Sequence, residues 1–238
     1  MKCLIPAGGF GRRLYPLTIN MPKALLQYKG KPLINHILEK IPVGIDIFIS
    51  TNQRFADAFS RWQKTQDRKI ELCIEAARTE EEKLGAVSSI DYWIKNKNIN
   101  EDLLVIAADN YFEFDISHFV AACDSKHTLL AIHDIADREK AKQFGVVALD
   151  GTKVIDIEEK PAQPKCTLVS TACYIFPQRV LPFFYAYCQG GKRDNLGAFI
   201  SYLIKADEVY AFMFTGSWFD IGSERDIISS LVISKHDI

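Results

Sequence analysis

No stretch of this 238-residue chain approaches the run of about 20 apolar residues that a membrane-spanning helix needs. The opening Met1 to Ala7 segment is a short apolar run that stops at glycines, which does not read as a targeting segment, so a cytoplasmic location and no membrane partner are expected. Cysteine is sparse and unclustered. The six thiols, at 3, 73, 123, 166, 173 and 188, form no CxxC pair or other zinc spacing, and are expected to be buried and reduced. There is no HExxH, no GxSxG and no histidine pair at helical ligand spacing, which removes zinc-hydrolase and serine-hydrolase readings. Nor is there a surplus of one charge: the formal net charge is -1, so the basic surface of a general nucleic-acid binder is missing and any phosphate site must be local. Linkers, repeats and low-complexity tracts are also lacking, which points to one domain over residues 1–238.

What is present is a chain that is 48% apolar and 25% charged, enough to bury a substantial core. Lys2 to Pro6 reads as a strand, and Leu33, Ile34, Ile37, Leu38 and Ile41 recur at helical spacing after a polar loop. Two further rounds follow: a strand at Ile45 to Ser50 with a helix around Phe55 to Trp62, then a strand at Ile70 to Ile74 with a helical face at Leu84, Val87, Ile90 and Ile94. Leu103 to Ala108 is then a buried strand ending at Asp109. Such alternation predicts an α/β layered fold with a largely parallel sheet, in which ligands gather at the carboxyl ends of strands. From about Thr128 the strands come closer together, at Thr128 to Ile132, Gly145 to Leu149, Val154 to Ile157 and Thr167 to Phe176, with Asp150-Gly151 as a hairpin turn. These read as antiparallel additions to the sheet. Val180 to Cys188, Leu196 to Ile204 and Asp226 to Ser234 read as helices, and Glu208 to Phe214 as a strand.

Near the amino terminus, Ala7-Gly8-Gly9-Phe10-Gly11-Arg12-Arg13 combines glycines, whose backbone permits close approach of a ligand, with guanidinium groups suited to phosphate oxygens. A glycine-rich turn with solvated arginines is the plain alternative. Lys23, ten residues after Arg13 on a proline-stiffened loop, adds a second cation within reach of the same phosphates. Two nucleotide-binding rivals fail at fixed offsets. The third glycine of GxGxxG is replaced by Leu14, and the Gly30-Lys31 and Gly191-Lys192 pairs are followed by Pro32 and Arg193 rather than by the Ser or Thr of a Walker A loop.

The segment GGFGRRLYPLTINMPKALLQYKGKPLI resembles the GGxGxRLxPLTxxxPKxLLxxxxKPxI signature of the sugar-phosphate nucleotidylyltransferase family. The resemblance implies a Rossmann-like three-layer α/β/α nucleotidyltransferase fold, with a nucleotide-binding half at about 1–127 and a sugar-phosphate half at about 128–238. It also implies that a glycine loop at Ala7, Gly8, Gly9 and Gly11 wraps the triphosphate, while Arg13 and Lys23 stabilise charge; Arg12 falls at the variable place before the arginine.

Asp109 leaves a buried strand and Asp220 lies in Trp218-Phe219-Asp220-Ile221-Gly222; each carboxylate suits a hard cation, and each also suits an ordinary turn or helix cap. Ala107-Ala108-Asp109-Asn110 resembles the family's GDN strand end and the Asp220 segment its WxDxG motif, so the resemblance implies that Asp109 and Asp220 together bind Mg2+. Phe144-Gly145-Val146-Val147, Glu159-Lys160-Pro161 and the strand through Thr171 resemble the family's sugar-pocket segments. On that basis Gly145 admits the sugar, Glu159 accepts its hydroxyls, Lys160 holds its phosphate and Thr171 belongs to the same pocket. Glu82-Lys83-Leu84-Gly85-Ala86 resembles the segment beside the nucleobase and makes Gly85 a nucleotide contact.

Three departures matter. Leu84-Gly85-Ala86-Val87 replaces the usual LGTA-like run and leaves the base open, Ala172 stands where a glycine is common, and Lys192-Arg193-Asp194-Asn195 replaces a more acidic segment, leaving a phosphate role for Arg193 open. The chain is expected to lack the carboxy-terminal β-helix of some relatives.

The implied reaction joins a hexose 1-phosphate to a nucleoside triphosphate and releases pyrophosphate, with homo-oligomerisation left open. A cytidylyltransferase for a phosphorylated alcohol such as phosphocholine is one alternative; a non-catalytic nucleotide-sugar-binding regulatory subunit is another. Retention of Arg13, Lys23, Asp109 and Asp220 favours an enzyme.

Overall fold

The computed structural model describes residues 1–191 and 195–222. The expected last helix at Asp226 to Ser234, and Arg193 with its neighbours Lys192 and Asp194, lie outside the described residues. In chain order the elements begin β1 (Lys2–Pro6), β2 (Gln27–Tyr28), β3 (Lys31–Pro32), α1 (Leu33–Leu38), β4 (Asp46–Asn52), α2 (Ala56–Gln63), β5 (Ile70–Glu75), α3 (Ala86–Asn96), β6 (Leu103–Ile106), β7 (Asn110–Phe112) and α4 (Ile116–Ala121). They continue with β8 (Thr128–Asp134), α5 (Arg138–Ala141), β9 (Gly145–Asp150), β10 (Lys153–Glu159), β11 (Leu168–Phe176), α6 (Pro182–Gln189), α7 (Leu196–Leu203), β12 (Val209–Met213) and β13 (Trp218–Asp220).

Among the described residues, nine strands form one sheet in the order β5-β4-β1-β6-β11-β8-β12-β10-β9. Its left part, β5-β4-β1-β6, is parallel throughout. Side chains alternate across the sheet and seed two cores. On one face Cys3, Ile5, Leu104 and Ile106 pack with Ile34 and Ile37 of α1 and Phe59 and Trp62 of α2. On the other, Leu4, Leu103 and Val105 pack with Val87, Ile90 and Trp93 of α3 and with Phe184, Phe199 and Leu203 of α6 and α7. Strand period on the sheet and three-to-four-residue spacing on the helices therefore yield the three expected layers.

Three local expectations are refined. The strand that begins at Leu103 ends at Ile106, because the Ala107 and Ala108 amides turn aside to the carbonyls of Ala172 and Pro6. Asp109 consequently sits in a tight turn between β6 and β7. The second half of the sheet is not uniformly antiparallel: β11 and β10 run against their neighbours, but β12 pairs parallel with β8. The helices α6 and α7 connect β11 to β12, with β12 running opposite to β11 and parallel to β8, between β8 and β10. Finally, Gln178–Val180 forms a 3-10 turn, and α6 starts at Pro182, whose fixed φ suits a first helical position.

A bulge in β11 explains the departure at Ala172. The register with β8 shifts between Ser170 and Tyr174, and Ala172 adopts a left-handed φ of 55°. Opposite the bulge, the Ala131 carbonyl accepts the Thr171 hydroxyl at 2.8 Å. A left-handed alanine costs roughly 1–2 kcal/mol, partly offset in any glycine variant by greater freedom of the unfolded chain. Ala172→Gly is therefore expected to stabilise the protein by about 1 kcal/mol and to raise Tm by about 2–4 °C. A thermal melt showing an unchanged or lower Tm would count against strain at this bulge.

Candidate active site

The crevice lies where the strand order reverses, with β1 joined to β4 on one side and to β6 on the other. Chain leaving the carboxyl ends of β1 and β6 lines a cavity of about 490 Å³, within the range of small-molecule sites. Ala7, Gly8, Gly9, Gly11, Arg12, Arg13, Lys23, Gly85 and Asp109 all contribute to it. Gly11 adopts a φ of 63°, and a side chain there would also meet Thr18 at 3.1 Å. The Thr18 hydroxyl donates to the Gly11 carbonyl at 2.8 Å, which fixes the turn that delivers Arg12 and Arg13. The two arginines differ: Arg12 pairs with Glu81 at 2.8 Å, whereas Arg13 has no ion-pair partner among the described residues.

Lys23 and Asp109, which line this crevice, converge with Asp220 from a third part of the chain. Pro22 leads into a 3-10 turn at Lys23–Leu25 that buries Ala24 and Leu25 and turns the Lys23 side chain inward. Its Nζ lies 3.0 Å from Asp109 Oδ2 and 3.4 Å from Asp220 Oδ1. Asp220 is held by the short β13–β7 ladder, in which it faces Asn110. The Trp218 indole donates to Asn110 Oδ1 at 2.8 Å, and the Ile221 amide donates to the Asp109 carbonyl at 3.0 Å. Burial and the neighbouring Asp109 charge raise the Asp220 pKa above the ordinary carboxylate range, against the opposing pull of Lys23 and Arg13. Among the described residues no third His, Cys, Asp or Glu completes a metal cage. Two carboxylates without soft ligands fit a hard cation that keeps waters or substrate oxygens in its remaining positions.

The residues proposed for the sugar half gather in a neighbouring cluster. A side chain at Gly145 would meet Glu159 Oε2 at 3.2 Å, and one at Gly197 would meet the same oxygen at 2.6 Å, so both glycines make room for this carboxylate. Lys160 Nζ lies 3.9 Å from Glu159 Oε1. Leu196, next to Gly197, reaches the main cavity and joins the two regions, whereas Gly145, Glu159 and Lys160 do not line that cavity. Thr171 is 1% exposed and its hydroxyl is committed to the sheet, which leaves it a supporting position behind the bulge.

Glu75 escaped sequence reasoning. It ends β5, is 6% exposed and lines the cavity beside Gly8, Ser50 and Ser89. Its Oε1 accepts the Ser89 hydroxyl and, at 3.4 Å, the Trp93 indole N–H, and no basic side chain pairs with it among the described residues. Burial raises its pKa, with those two hydrogen bonds opposing. The available signal was a glutamate two residues beyond Cys73, in phase with the buried side of a strand.

A family model described as "Nucleotidyl transferase" matches residues 2–233. The chain is 28% identical over 237 residues to the bifunctional protein GlmU of Methanocaldococcus jannaschii, covering 97% of this chain and 53% of that protein. It is 26% identical to mannose-1-phosphate guanylyltransferase 1 of Arabidopsis thaliana, covering 97% of this chain and 64% of that one. The chain thus spans between about half and two thirds of the length of these curated relatives. A crystal structure from Bacillus anthracis, provisionally named as a glucose-1-phosphate thymidylyltransferase and in complex with a sucrose, superposes with a TM-score of 0.84 at 24% identity. The match covers 99% of this chain and 95% of that one, and shows a shared fold.

The raised pKa of Glu75 has a stability consequence. The folded carboxyl keeps its proton above the pH at which the unfolded one ionises, so wild-type stability falls as pH rises from the ordinary carboxylate range to the raised value. Glu75→Gln, which never ionises, is expected to melt higher than wild type at pH 7.5, with the gap closing as pH falls toward about 4. Melts across that range check this, and a variant less stable than wild type at pH 7.5 would oppose it.

Proposed function

Since the chain belongs to the nucleotidyl transferase family, we propose that it is a sugar-1-phosphate nucleotidylyltransferase, converting a nucleoside triphosphate and a hexose 1-phosphate into a nucleoside diphosphate sugar and pyrophosphate. The observation that carries this reading is the meeting of Asp220 with Lys23 and Asp109, which line a glycine-rich crevice that also holds Arg13. The reaction is an in-line displacement. An oxygen of the sugar phosphate forms a bond to the α-phosphorus, the bond from that phosphorus to the β-bridging oxygen breaks, and its electron pair leaves with pyrophosphate.

The attacking phosphate is already an anion, so alignment and charge stabilisation matter more than removal of a proton. Backbone at Gly8, Gly9 and Gly11 admits the triphosphate closely, Arg13 offers a planar fork of donors, and Lys23 offers a compact charge. Asp109 and Asp220 are the residues that would hold Mg2+, which when bound supplies Lewis-acid stabilisation of charge on phosphate oxygens. Glu159 accepts sugar hydroxyls and Lys160 neutralises the sugar phosphate; Gly145 leaves room for the Glu159 carboxylate, and Gly85 bounds the nucleotide side. The reading includes a single catalytic domain with two substrate halves and a cytoplasmic setting. Among the described residues, no helix is long and apolar enough to cross a membrane.

The test is a matrix of nucleoside triphosphates against hexose 1-phosphates, with phosphocholine as control, read by magnesium-dependent pyrophosphate release. One productive sugar pair is expected. Removing one preorganised charge stabiliser costs roughly 3 kcal/mol, so Lys23→Ala and Asp109→Asn should each lower kcat by about a hundredfold or more. Wild-type rates in either folded variant would contradict the assigned roles.

A further inference from the structure

A glycine loop receives a polyanion only when its amides, and not its carbonyls, face the ligand. A trans peptide unit sets its C=O and the following N–H in opposite directions, so fixing one fixes the other. Two carbonyls of this loop are held by side chains. The Gly11 carbonyl accepts the Thr18 hydroxyl and the Leu14 amide, each at 2.8 Å. The Gly8 carbonyl accepts Asn52 Nδ2 at 2.9 Å. Asn52 ends β4, which flanks β1 on the side away from β6, and it is fully buried. With the Gly8 oxygen turned to Asn52, the Gly9 N–H points away from it, and among the described residues no group accepts that N–H. Gly9 is exposed and lines the crevice.

We infer that Asn52 is a positioning residue for the triphosphate: by holding the Gly8 carbonyl it presents the Gly9 N–H to a phosphate oxygen. This rests on the nucleotide-binding reading above and adds to it a residue outside the glycine loop. Asn52 is not among the residues that line the crevice, so it acts through the loop. Its side chain carries one acceptor and one donor group, and both are used. Oδ1 accepts the Phe55 amide at 3.1 Å, at the start of α2, which leaves Nδ2 for Gly8. The reverse placement would set oxygen against oxygen and N–H against N–H, so the chemistry of its two partners fixes its orientation. The tie matters because Gly8 and Gly9 give the peptide between them little steric resistance to rotation. A rotated peptide would replace a charge-assisted hydrogen bond to phosphate with repulsion between a carbonyl and an anion.

The test uses Asn52→Asp, which keeps the acceptor for the Phe55 amide and replaces the donor with an oxygen that repels the Gly8 carbonyl. Asn52→Ala, which drops both bonds without burying a charge, is the second variant. The full chain carries 13 glycines, so labelling with 15N-glycine gives a spectrum simple enough to follow singly. A side chain at Gly9 meets nothing within 4 Å, and Gly9→Ala therefore identifies the Gly9 signal by its loss. Sodium tripolyphosphate in magnesium buffer is the probe, followed by calorimetry and by the glycine amides. In wild type the Gly9 amide proton is expected to move downfield at saturation. In each variant whose Gly44 and Gly151 signals match wild type, affinity for tripolyphosphate is expected to fall about tenfold or more, with the Gly9 response reduced. A merely structural role would lower Tm and leave that response intact. A Gly9 signal that does not respond in wild type, or wild-type affinity in a folded variant, would overturn the inference. Tripolyphosphate binding with the Gly9 response but no pyrophosphate release from any substrate pair would defeat the transferase proposal and leave the Asn52 assignment standing. Turnover with an unresponsive Gly9 amide would do the reverse.

Discussion

Two carboxylates drawn to one ammonium are the constraint on which the site depends. Asp109 and Asp220 repel one another, and burial together with that repulsion raises the Asp220 pKa. Lys23 reaches both oxygens from a third part of the chain, so the arrangement exists only when three separate backbone segments are in place. Each has its own rigid support. Asp109 is fixed by the turn that ends β6, Asp220 by its ladder with β7, and Lys23 by a turn whose apolar neighbours Ala24 and Leu25 are buried. Rigid placement of this kind keeps charged groups aligned without reorganisation during a reaction, the condition under which electrostatic stabilisation is most effective.

Sheet topology sets where that convergence occurs. Because β1 lies between β4 and β6, the loops leaving the carboxyl ends of β1 and β6 diverge and open a crevice. The glycine loop takes one wall and the Asp109 turn the other. The bulge in β11 belongs to the same construction, since the Ala172 carbonyl accepts the Ala107 amide just before that turn. A left-handed alanine is tolerated there because both ends of the bulge are pinned, by this bond and by the Thr171 hydroxyl on Ala131. The site thus rests on a strained but fully engaged strand.

Much of this was legible before any coordinates. The alternation of strand and helix periods revealed the layers, because Cys3, Ile5, Leu104 and Ile106 had to face one core and Leu4, Leu103 and Val105 the other. The long amino-terminal signature singled out Arg13 and Lys23 through its resemblance to the family, and both line the crevice. Less legible was the parallel entry of β12, since a strand's residue pattern carries no record of its direction. Glu75 was hidden for a related reason: a glutamate in a mixed strand reads as solvated until Ser89 and Trp93 are seen packed against it.

Local chemistry therefore settled which segments are strands, helices and close-approach loops, as well as which charged residues stand beside them. Those choices depend on neighbours within a few positions, where backbone sterics and side-chain periodicity act directly. Distance relations were a different matter. That Asp109 and Asp220 share one ammonium, that Glu159 fills the space left by Gly145 and Gly197, that Thr171 serves the sheet, and that a buried carboxylate waits beside Gly8 all required the folded chain. The physical reason is that electrostatic and packing energies depend on separation in space, and chain segments remote in sequence acquire that separation only when the sheet assembles.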